Sequence, residues 1–507
     1  MRLGIDFGTT RTVVACADRG NYPVLSFADD AGDALDWFPS VVAENHGELK
    51  FGLDALALTG DPAWTLARSF KRVLGDAGAT PDQTIVIGGS EHTMLDVVGG
   101  FLASLRTAIL TRSNLPKKKA AKVSEEMVTV VATPANSLSA QRFLTLDAFR
   151  RAGFDVTAML NEPSAAGFEY THRYRNTLNA KREHVVVYDL GGGTFDASLV
   201  RMSGTAHEAV TTAGLQRLGG DDFDAVLVEL VLAAAKLDRK DLDARSLASL
   251  ADACRDAKER LAPNSKRIQI DHDATGQITV DTKAFYDACA PLIEQTLDAM
   301  APVIARLEDQ IAGIYVVGGA SSLPAVGRAL RERFGRRVHA SPYPSAATAV
   351  GLAIASDRDS GFELTDRFSR NLGVFREGTD GRAITFDPIF VRDTELPARG
   401  AGPVVLERTY RAAHNVGHFR FIECASLDAK GAPQGTITPA IDVLFPFAPE
   451  LRDDAPPKLG NIEIRRLHEA GPIVREEYVL DAHGLVELRI TDVESGYSRG
   501  YRLLSSS

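Results

Sequence analysis

The pattern of apolar and polar positions divides the chain into two parts of different character. Up to about Ala355, strand-like apolar runs alternate with helical stretches, among them residues 225–236 and 292–307. Strands that alternate with helices are typical of an α/β domain. The polar segment 356–361 then interrupts the pattern and indicates the start of a linker. We therefore predict a first domain over residues 1–356 and a linker over residues 357–367.

The remaining part, residues 368–507, carries short apolar runs separated by Gly, Pro and Asp. Such runs indicate the strands of an antiparallel β domain. The runs that we expect to form strands are 384–391, 419–422, 440–447, 462–466 and 485–491. The predicted fold class is thus an α/β domain followed by an antiparallel β domain.

One apolar run ends in a chemically distinctive turn. Residues 185–196 place three glycines between Asp189 and Asp196. Glycines that follow a strand let backbone N–H groups approach phosphate oxygens without a Cβ in the way. Two carboxylates there would repel a bare phosphate, so they indicate a hard cation between the protein and the anion, which we expect to be Mg²⁺. A tight glycine hairpin with solvated acids is the alternative that this segment alone leaves open.

Similar turns occur at two other places in the chain. Residues 3–10 repeat the order of apolar strand, carboxylate, glycine and hydroxyls, which suggests an internal duplication. Residues 314–321 form a third strand with a glycine turn, and a helix is predicted to begin near Pro324. Turns at the ends of strands can converge on one ligand. We therefore predict a nucleotide bound between two similar lobes.

Composition argues against several other functions. The chain has 507 residues and a formal net charge of -10, which disfavours a nucleic-acid binder. The lysine cluster within 117–122 is expected to be a solvated loop. The four cysteines lack the spacing of a metal or redox motif, which suits a reducing cytoplasm. No leader-like segment opens the chain and no apolar run approaches eighteen residues, so we expect neither export nor a membrane span.

The turns resemble those of the actin, hexokinase and heat-shock ATPase superfamily, and within it the heat shock protein 70 (DnaK-type) chaperones. Motifs similar to that family's occur in its order and at similar spacing across roughly residues 1–356. They are the two phosphate motifs at 4–10 and 189–196, a stretch at 68–75 like the one with the family's catalytic lysine, a VPAxxxxxQR-like segment at 134–142, an NEPTAA-like segment at 161–166 and an LGGxDFD-like segment at 218–224. The resemblance implies an actin-like, two-lobed ATPase domain.

The resemblance also implies roles for individual residues. Asp6 and Asp189 would hold hydrated Mg²⁺, and Lys71 and Glu162 would flank the attacking water, which Asp196 helps to orient. Thr194 completes the implied catalytic set. The implied nucleotide-binding residues are Gly8, Thr9, Thr10, Gly191, Gly192, Gly193, Gly219, Gly220, Lys258, Gly318 and Gly319. The cofactors are ATP or ADP with Mg²⁺, and K⁺ is left open as an additional ion. Taken singly, Lys71 would be a solvated surface lysine and Glu162 a residue that starts a helix.

The adenosine side departs from the family. Residues 254–262 align with the helix that supplies a glutamate, a lysine and a serine to the adenosine, and only Lys258 matches. The departures are Arg255 for the glutamate, Ala262 for the serine, Ser322 for the arginine that stacks on the base, and Ser345 with Ala346 for an acidic pair. Loss of a stacked arginine costs about 1 kcal/mol or more, so we expect weakened or altered recognition of the base.

The C-terminal part resembles the family's peptide-binding β-sandwich. Residues 388–397 are similar to its PLIPRNTTIP segment, and residues 481–491 are similar to its DADGILHVSA-type strand. Two departures stand out: residues 362–367 replace the family's apolar linker, and the chain stops at Ser507, where the family continues into a helical lid. We therefore predict a sandwich without a lid that releases extended peptides quickly.

Communication between the domains is left open. Pro134 and Arg142 match the family's proline switch and its partner arginine, which together form the predicted interdomain relay. Ala158, in contrast, stands where the family presents an arginine near the docked linker. Without that charge and the apolar linker, docking of the domains would be weaker unless other contacts replace them.

The leading hypothesis is a cytoplasmic, DnaK-type ATPase that couples Mg-ATP to the binding of an unfolded peptide or a specific protein client. The family implies a nucleotide-exchange factor, whereas the altered linker leaves a J-domain partner open. Nucleic acid and membrane are not expected as partners. The first alternative is a nucleotide-responsive binding or scaffold protein with little or no hydrolysis. A small-molecule kinase of the wider superfamily is disfavoured by the β-rich C-terminal part.

Overall fold

The computed structural model describes residues 1–507 apart from 77, 117–126, 135, 136, 180, 204, 205, 216, 306–309, 362, 366, 379–382, 393, 399, 454, 455, 468–470 and 504–507. The chain forms two compact units. Unit 1 comprises Met1, Ser26–Leu160 and Leu364–Ser507, and unit 2 comprises Arg2–Leu25 and Asn161–Glu363. Each unit is built from separate stretches of sequence. The predicted domain boundaries near residues 356 and 368 stay a prediction.

Strands are distributed over the whole chain. The first group is β1 Arg2–Phe7, β2 Arg11–Cys16, β3 Phe27–Ala28, β4 Ala34–Leu35, β5 Phe38–Pro39, β6 Val41–Asn45, β7 Glu48–Phe51, β8 Thr65–Arg68, β9 Thr84–Ile87, β10 Ser90–Thr93, β11 Val128–Thr133 and β12 Asp155–Asn161. The second group is β13 His184–Leu190, β14 Phe195–Ser203, β15 Ala206–Leu215, β16 Arg267–His272, β17 Gly276–Asp281, β18 Ile311–Val317, β19 Val338–Ala340 and β20 Glu363–Thr365. The C-terminal group is β21 Asn371–Glu377, β22 Ile384–Phe390, β23 Val404–Arg411, β24 Val416–Leu427, β25 Pro433–Pro446, β26 Ile473–Leu480, β27 Val486–Asp492 and β28 Ser498–Arg502.

Helices lie mainly before residue 357. They are α1 Leu53–Leu56, α2 Met94–Thr111, α3 Ser139–Arg151, α4 Glu162–Tyr174, α5 Gly220–Ala235, α6 Ala244–Glu259, α7 Thr282–Ile304, α8 Pro324–Phe334, α9 Ala347–Ser356 and α10 Pro456–Leu459. Short 3-10 helices are Phe70–Gly75, Arg175–Thr177, Arg239–Asp241, Gly319–Ser322, Gly335–Arg337, Arg358–Ser360 and Pro449–Leu451. The predicted helices at 225–236 and 324 are confirmed as α5 and α8. The helix predicted at 292–307 begins earlier, because the Asp281 side chain caps the backbone N–H groups of Lys283 and Ala284.

The main sheet of unit 2 has the strand order β19-β18-β13-β14-β15-β20. β13 pairs in parallel with β18 and antiparallel with β14. Val186 faces one hydrophobic cluster with Leu227 and Ile314, whereas Val185 and Val187 face another around Tyr170. Because both faces of β13 are covered, its sequence is a continuous apolar run. This burial holds the turn after β13 in place.

The hairpin of β1 and β2 is held in unit 2 by close helix packing. A Cβ added at Gly4 of β1 would lie 2.2 Å from the backbone nitrogen of Ala353 in α9. A Cβ added at Gly351 of α9 would lie 1.7 Å from the carbonyl oxygen of Ala165 in α4. These glycines are required because the backbones of β1, α9 and α4 touch. The contacts fix the end of β1 relative to the start of α4.

Helix α2 packs in the core of unit 1. Phe101 of α2 contacts the rings of Phe38 and Phe70 at centroid distances of 5.5 and 5.2 Å. By length and hydropathy α2 could cross a membrane, although Asp96 and Arg106 interrupt its apolar residues. Its packing against Phe38 and Phe70 is what a buried core helix shows.

The C-terminal region is β-rich, as predicted. It holds two antiparallel sheets with the orders β22-β21-β24-β25 and β23-β26-β27-β28. Leu372 and Phe421 of the first sheet share a hydrophobic cluster with Tyr478 and Leu488 of the second. The linker segment 357–367 contains the 3-10 helix Arg358–Ser360 and the strand β20.

One predicted strand, residues 462–466, is wrong. Within this segment Arg466 makes an isolated bridge with His414, and Ile464 is exposed. The Asn415 side chain binds this segment by accepting from the backbone N–H of Arg465 and donating to the carbonyl of Glu463. No second layer thus covers Ile464, and the Asn415 side chain supplies two of the hydrogen bonds that this segment makes.

All four cysteines are buried and carry no disulfide bond. The basic cluster at 117–122 lies outside the described residues.

Candidate functional site

Two hairpins of unit 2 present similar glycine turns. In the β1–β2 turn, Gly8 donates its backbone N–H to the carbonyl of Asp6, and a Cβ added at Gly8 would lie 2.2 Å from the carbonyl oxygen of Arg11. In the β13–β14 turn, Gly191 donates to the carbonyl of Thr194 at 3.0 Å. Both hairpins are antiparallel and carry an aspartate near the end of the first strand. This similarity agrees with the predicted internal duplication.

The two glycine turns approach each other and a third segment. A Cβ added at Gly192 would lie 3.0 Å from the Thr10 hydroxyl oxygen. A Cβ added at Gly219 would lie 2.5 Å from the backbone nitrogen of Gly193. Since real Cβ atoms do not approach backbone this closely, only glycine fits at position 219 without moving the turn.

Backbone hydrogen bonds join the β13–β14 turn to the start of α5. Gly220, the first residue of α5, donates to the carbonyl of Gly191 at 2.9 Å. Asp221 donates to the carbonyl of Gly192 at 2.8 Å. The predicted phosphate motif at 189–196 and the predicted motif at 218–224 therefore form one rigid loop pair.

The third predicted turn lies beside Asp189. Gly318 has a φ of 86°, and a Cβ added there would lie 2.4 Å from the Oδ1 atom of Asp189. Gly318 also donates its N–H to the carbonyl of Pro344 at 2.8 Å. A Cβ added at the next residue, Gly319, would meet no protein atom within 4 Å. The three turns predicted from sequence are thus brought together in unit 2.

Carboxylates cluster at this junction. Asp189 and Asp196 are direct cross-strand partners, and Glu162 begins α4, where the helix dipole favours a negative charge. Burial, followed by the charges of Glu162 and Asp189, raises the pKa of Asp196 well above its ordinary value. Gly214 leaves room for this side chain, because a Cβ there would lie 2.4 Å from its Oδ1 atom.

This donor set fits a hard cation. A buried carboxylate whose pKa is raised by neighbouring acids, as that of Asp196 is, is neutralised better by a metal ion than by water. Within the part of the chain that the structure describes, no group of three or more His, Cys, Asp or Glu side chains forms a ready metal cage. Mg²⁺ does not require such a cage, because it keeps several of its waters and needs one or two carboxylates.

On the predicted adenosine side, acidic residues bind the cationic side chains. The ammonium of Lys258, 8 % exposed, binds the Oδ1 atom of Asp224 at 2.6 Å and the carbonyl of Gly220 at 2.8 Å. Arg255 binds the same aspartate at 3.3 Å and Asp252 at 2.6 Å. Burial raises the pKa of Asp224 despite these cations. Lys258 and Arg255 are therefore tied to acidic partners within the protein.

An ion pair that sequence reasoning missed lies next to these residues. Arg11, which follows Thr10, pairs with Glu259, which follows Lys258. The first phosphate motif ends at Thr10, one residue before Arg11, and the segment 254–262 includes Glu259 without a role assigned to it. The signal in the sequence was the pair of opposite charges directly after Thr10 and Lys258.

Lys71 belongs to unit 1. It lies in the 3-10 helix Phe70–Gly75, and its side chain is 8 % exposed. The alternative that it is an ordinary solvated lysine is therefore wrong. The helix starts after Ser69, which has a φ of 59° and turns the chain sharply.

The predicted relay residues also belong to unit 1. Arg142 of α3 is 3 % exposed and donates to the Thr133 hydroxyl at 3.1 Å, directly before Pro134. Its Nε donates to the carbonyl of His483 at 2.8 Å. Arg142 thus connects the segment after β11 with the loop between β26 and β27.

Two further contacts join the same parts of unit 1. The buried carboxylate of Glu423 accepts from the backbone N–H of Ser139 at 3.1 Å, and Arg370 lies 3.7 Å from its other oxygen. Burial raises the pKa of Glu423, although Ser139 and Arg370 oppose the rise. The Ser369 hydroxyl donates to the carbonyl of Ser137 at 3.0 Å. Sequence reasoning missed Glu423, since an isolated acid in an apolar strand carries no motif.

Comparisons with known proteins agree with this geometry. A family model described as Hsp70 protein matches residues 2–374. The chain is 34 % identical over 399 residues to a protein named Chaperone protein HscA homolog from Burkholderia multivorans, covering 74 % of this chain and 62 % of that protein. It is 33 % identical over 426 residues to Chaperone protein HscA from Klebsiella pneumoniae, covering 79 % of this chain and 65 % of that protein. The chain thus spans less than two thirds of the length of these relatives.

Proposed function

This chain belongs to the Hsp70 protein family, and from that premise we propose that it binds and hydrolyses Mg-ATP and couples this cycle to the binding of protein clients. The observation that carries the proposal is the convergence of three glycine turns on the carboxylates of Asp189, Asp196 and Glu162 in unit 2. Backbone N–H groups in such turns suit phosphate oxygens, and the carboxylates suit the accompanying cation.

In this proposal, different residues at the junction bind the metal ion and the phosphates. Asp6 and Asp189 would hold hydrated Mg²⁺, which neutralises charge on the phosphates. Thr9, Thr10 and Thr194 would hydrogen-bond phosphate oxygens. The glycines at 191–193, 219–220 and 318–319 would let the phosphate chain approach the backbone. Such sites stabilise phosphoryl transfer through position and charge.

The family resemblance assigns water activation to three side chains. Glu162 and Asp196 would orient the attacking water, since carboxylates at this position can accept its hydrogen bonds. Lys71, which is 8 % exposed, would supply positive charge to the developing transition state. This assignment of Lys71 rests on the family resemblance and on its burial.

In this proposal residues 1–356 form an actin-like, two-lobed nucleotide-binding domain and residues 368–507 form a β-sandwich that binds an unfolded peptide or a specific protein. The contacts of Arg142 with His483 and of Ser139 with Glu423 support communication between them, because they bind the Pro134 segment to the β-rich region. A nucleotide-exchange factor, a J-domain partner, K⁺ and a cytoplasmic location are further proposals drawn from the family and the free cysteines.

The proposed hydrolysis is tested by titration calorimetry with ATP and ADP in Mg²⁺, followed by phosphate release from the same samples. Lys71→Ala should reduce turnover at least about 100-fold and leave ATP affinity near that of the unaltered protein, because the lysine acts on the transition state. Lys283→Ala, at an exposed position in α7, is the matched control. Undiminished turnover in Lys71→Ala removes the role assigned to this lysine.

Coupling is tested separately with a fluorescent unfolded peptide. ATP should change the peptide release rate of the unaltered protein, and Arg142→Gln should reduce that change, because the variant loses charge-assisted bonds to His483 and Thr133. Glu423→Gln should have a smaller effect, since an amide oxygen still accepts from Ser139. ATP-dependent release that is the same in all three proteins contradicts the proposed relay.

A nucleotide-responsive scaffold with little turnover is the second candidate. The observation that favours it is the commitment of Lys258 and Arg255 to Asp224, which leaves the adenosine side without the family's usual contacts. ATP binding without phosphate release would support this candidate over the ATPase.

A further inference from the structure

The ion pair between Arg11 and Glu259 occupies a distinctive place in unit 2. Arg11 begins β2 immediately after the turn that contains Gly8 and Thr10, and its side chain is 30 % exposed. Glu259 is the last residue of α6, and its side chain is 41 % exposed. The ion pair therefore connects the end of the β1–β2 turn with the C-terminal end of α6, where Lys258 also lies.

The position of Glu259 is electrostatically costly without a cation. The C-terminal end of a helix carries a partial negative charge, which repels a carboxylate in the last turn. Arg11 offsets this repulsion. The pair is partly exposed, so its net contribution to folding stability is small. A stronger anion can therefore take the guanidinium from Glu259 at little energetic cost.

The guanidinium is chemically suited to such an exchange. Its planar set of N–H donors matches phosphate oxygens in a bidentate manner, and it stays charged at all working pH values. A triphosphate carries several negative charges, whereas Glu259 carries one. The Thr10 side chain, directly before Arg11, lies against Gly192 of the second phosphate turn. Arg11 therefore follows directly after a residue that contacts the predicted phosphate site.

We propose that Arg11 is a phosphate-binding residue that Glu259 holds in the absence of nucleotide and releases when a phosphate chain binds. The inference deepens the proposed function, because it assigns a specificity-determining residue to the same site. Arg11 favours ligands with a longer phosphate chain, and Glu259 is its internal competitor. The pair thus adds a cation on the phosphate side of a site whose adenosine side has lost family contacts.

The two partners give opposite predictions. Calorimetric titration with Mg-ATP and with inorganic triphosphate in Mg²⁺ should show weaker binding in Arg11→Gln, by roughly five- to tenfold, since one charge-assisted contact is lost. Glu259→Gln should bind both ligands roughly two- to fivefold more tightly, because the competing carboxylate is gone. The double variant should resemble Arg11→Gln. Adenosine affinity should be unchanged in all of them.

A structural clamp would behave differently, because removal of either partner then has the same consequence. Equal changes in Arg11→Gln and Glu259→Gln, or no change in either, overturn the inference. Arg11→Lys, which keeps the charge, should retain part of the affinity. Thermal unfolding of each variant identifies any that fails to fold, and Asp287→Asn, in an exposed ion pair of α7, is the charge-matched control.

The triphosphate titration separates this inference from the proposed function. Triphosphate binding that depends on Arg11 in a protein without ATP affinity supports the inference and contradicts the proposed function. ATP binding that is indifferent to both substitutions contradicts the inference alone. Failure of the unaltered protein to bind either ligand overturns both.

Discussion

The phosphate side and the adenosine side of unit 2 were predicted from the same kind of motif comparison, and the structure treats them differently. On the phosphate side, backbone contacts bring the turns at Gly8, Gly192 and Gly318 together. On the adenosine side, Lys258 and Arg255 are drawn into ion pairs with Asp224. The three glycine turns lie close together, as the motifs imply. Lys258 and Arg255, in contrast, pair with Asp224, which the motifs did not indicate.

The difference follows from the kind of chemical group that each predicted side presents. A glycine turn acts through backbone N–H groups, whose positions depend on local chain geometry and on the absence of a Cβ. A lysine or arginine acts through a long side chain, and its partner depends on which charges the rest of the fold brings nearby. Substitution of Arg255 for the family's glutamate therefore changes the whole charge network around Asp224.

The largest expected effect concerns Lys258. Lys258→Met should reduce the free energy of unfolding by about 3 kcal/mol, because it breaks a buried ion pair with Asp224. Urea unfolding measures this change. Lys283→Met, which breaks an exposed ion pair with Asp287, should have little effect. If Lys258→Met keeps its stability but loses adenosine affinity, Lys258 is a nucleotide ligand and the contrast between the two sides disappears.

The next prediction concerns the phosphate side. Gly219→Ala should weaken Mg-ATP binding by roughly tenfold or more, because its Cβ would meet Gly193 and force the loops apart at a cost of about 1–3 kcal/mol. Gly500→Ala is the control, since a Cβ there meets no atom within 4 Å. Calorimetry of both variants provides the test, and an affinity equal to that of the unaltered protein would refute the close backbone contact.

Gly319→Ala tests the phosphate side at a position where the fold leaves room for a side chain. No protein atom lies within 4 Å of a Cβ at this position, so the fold should tolerate the change. A loss of nucleotide affinity without a loss of thermal stability would show that the bound ligand approaches Gly319. Unchanged affinity would remove Gly319 from the predicted nucleotide-binding set.

The smallest effect concerns Asp196 and depends on pH. Because its pKa is raised in the fold, Asp196 contributes stability that is present at low pH and is lost as pH rises through that raised pKa. Asp196→Asn should therefore be more thermostable than the unaltered apoprotein at neutral pH, by roughly 1 kcal/mol, and this advantage should shrink in acid. Thermal unfolding across pH measures it.

Mg-ADP provides the control for this prediction. The cation should neutralise the cluster around Asp196 and narrow the stability difference between the two proteins at neutral pH. A difference that is constant across pH, with or without Mg-ADP, would show that the charge of Asp196 is not the cause.

Much of the secondary structure followed from the sequence, and the exceptions have identifiable causes. The strands at 185–190 and 314–317 and the helix at 324 are present where the apolar runs and Pro324 predicted them. The prediction of a strand at 462–466 was wrong, because apolar residues alone do not show whether other residues pack over them. Helix α2 is the opposite case. Its length and composition alone would suit a membrane span, but its Phe101 packs against Phe38 and Phe70 within unit 1.

The sequence by itself determined the family, the glycine turns and the carboxylates that accompany them. These features depend on local geometry and on residue type, which the order of amino acids specifies directly. Only the tertiary structure decided which charged side chains pair. The partners of Arg11, Lys258 and Arg142 are distant in sequence, and the packing of separate elements brings each of these cations to a carboxylate or a backbone carbonyl.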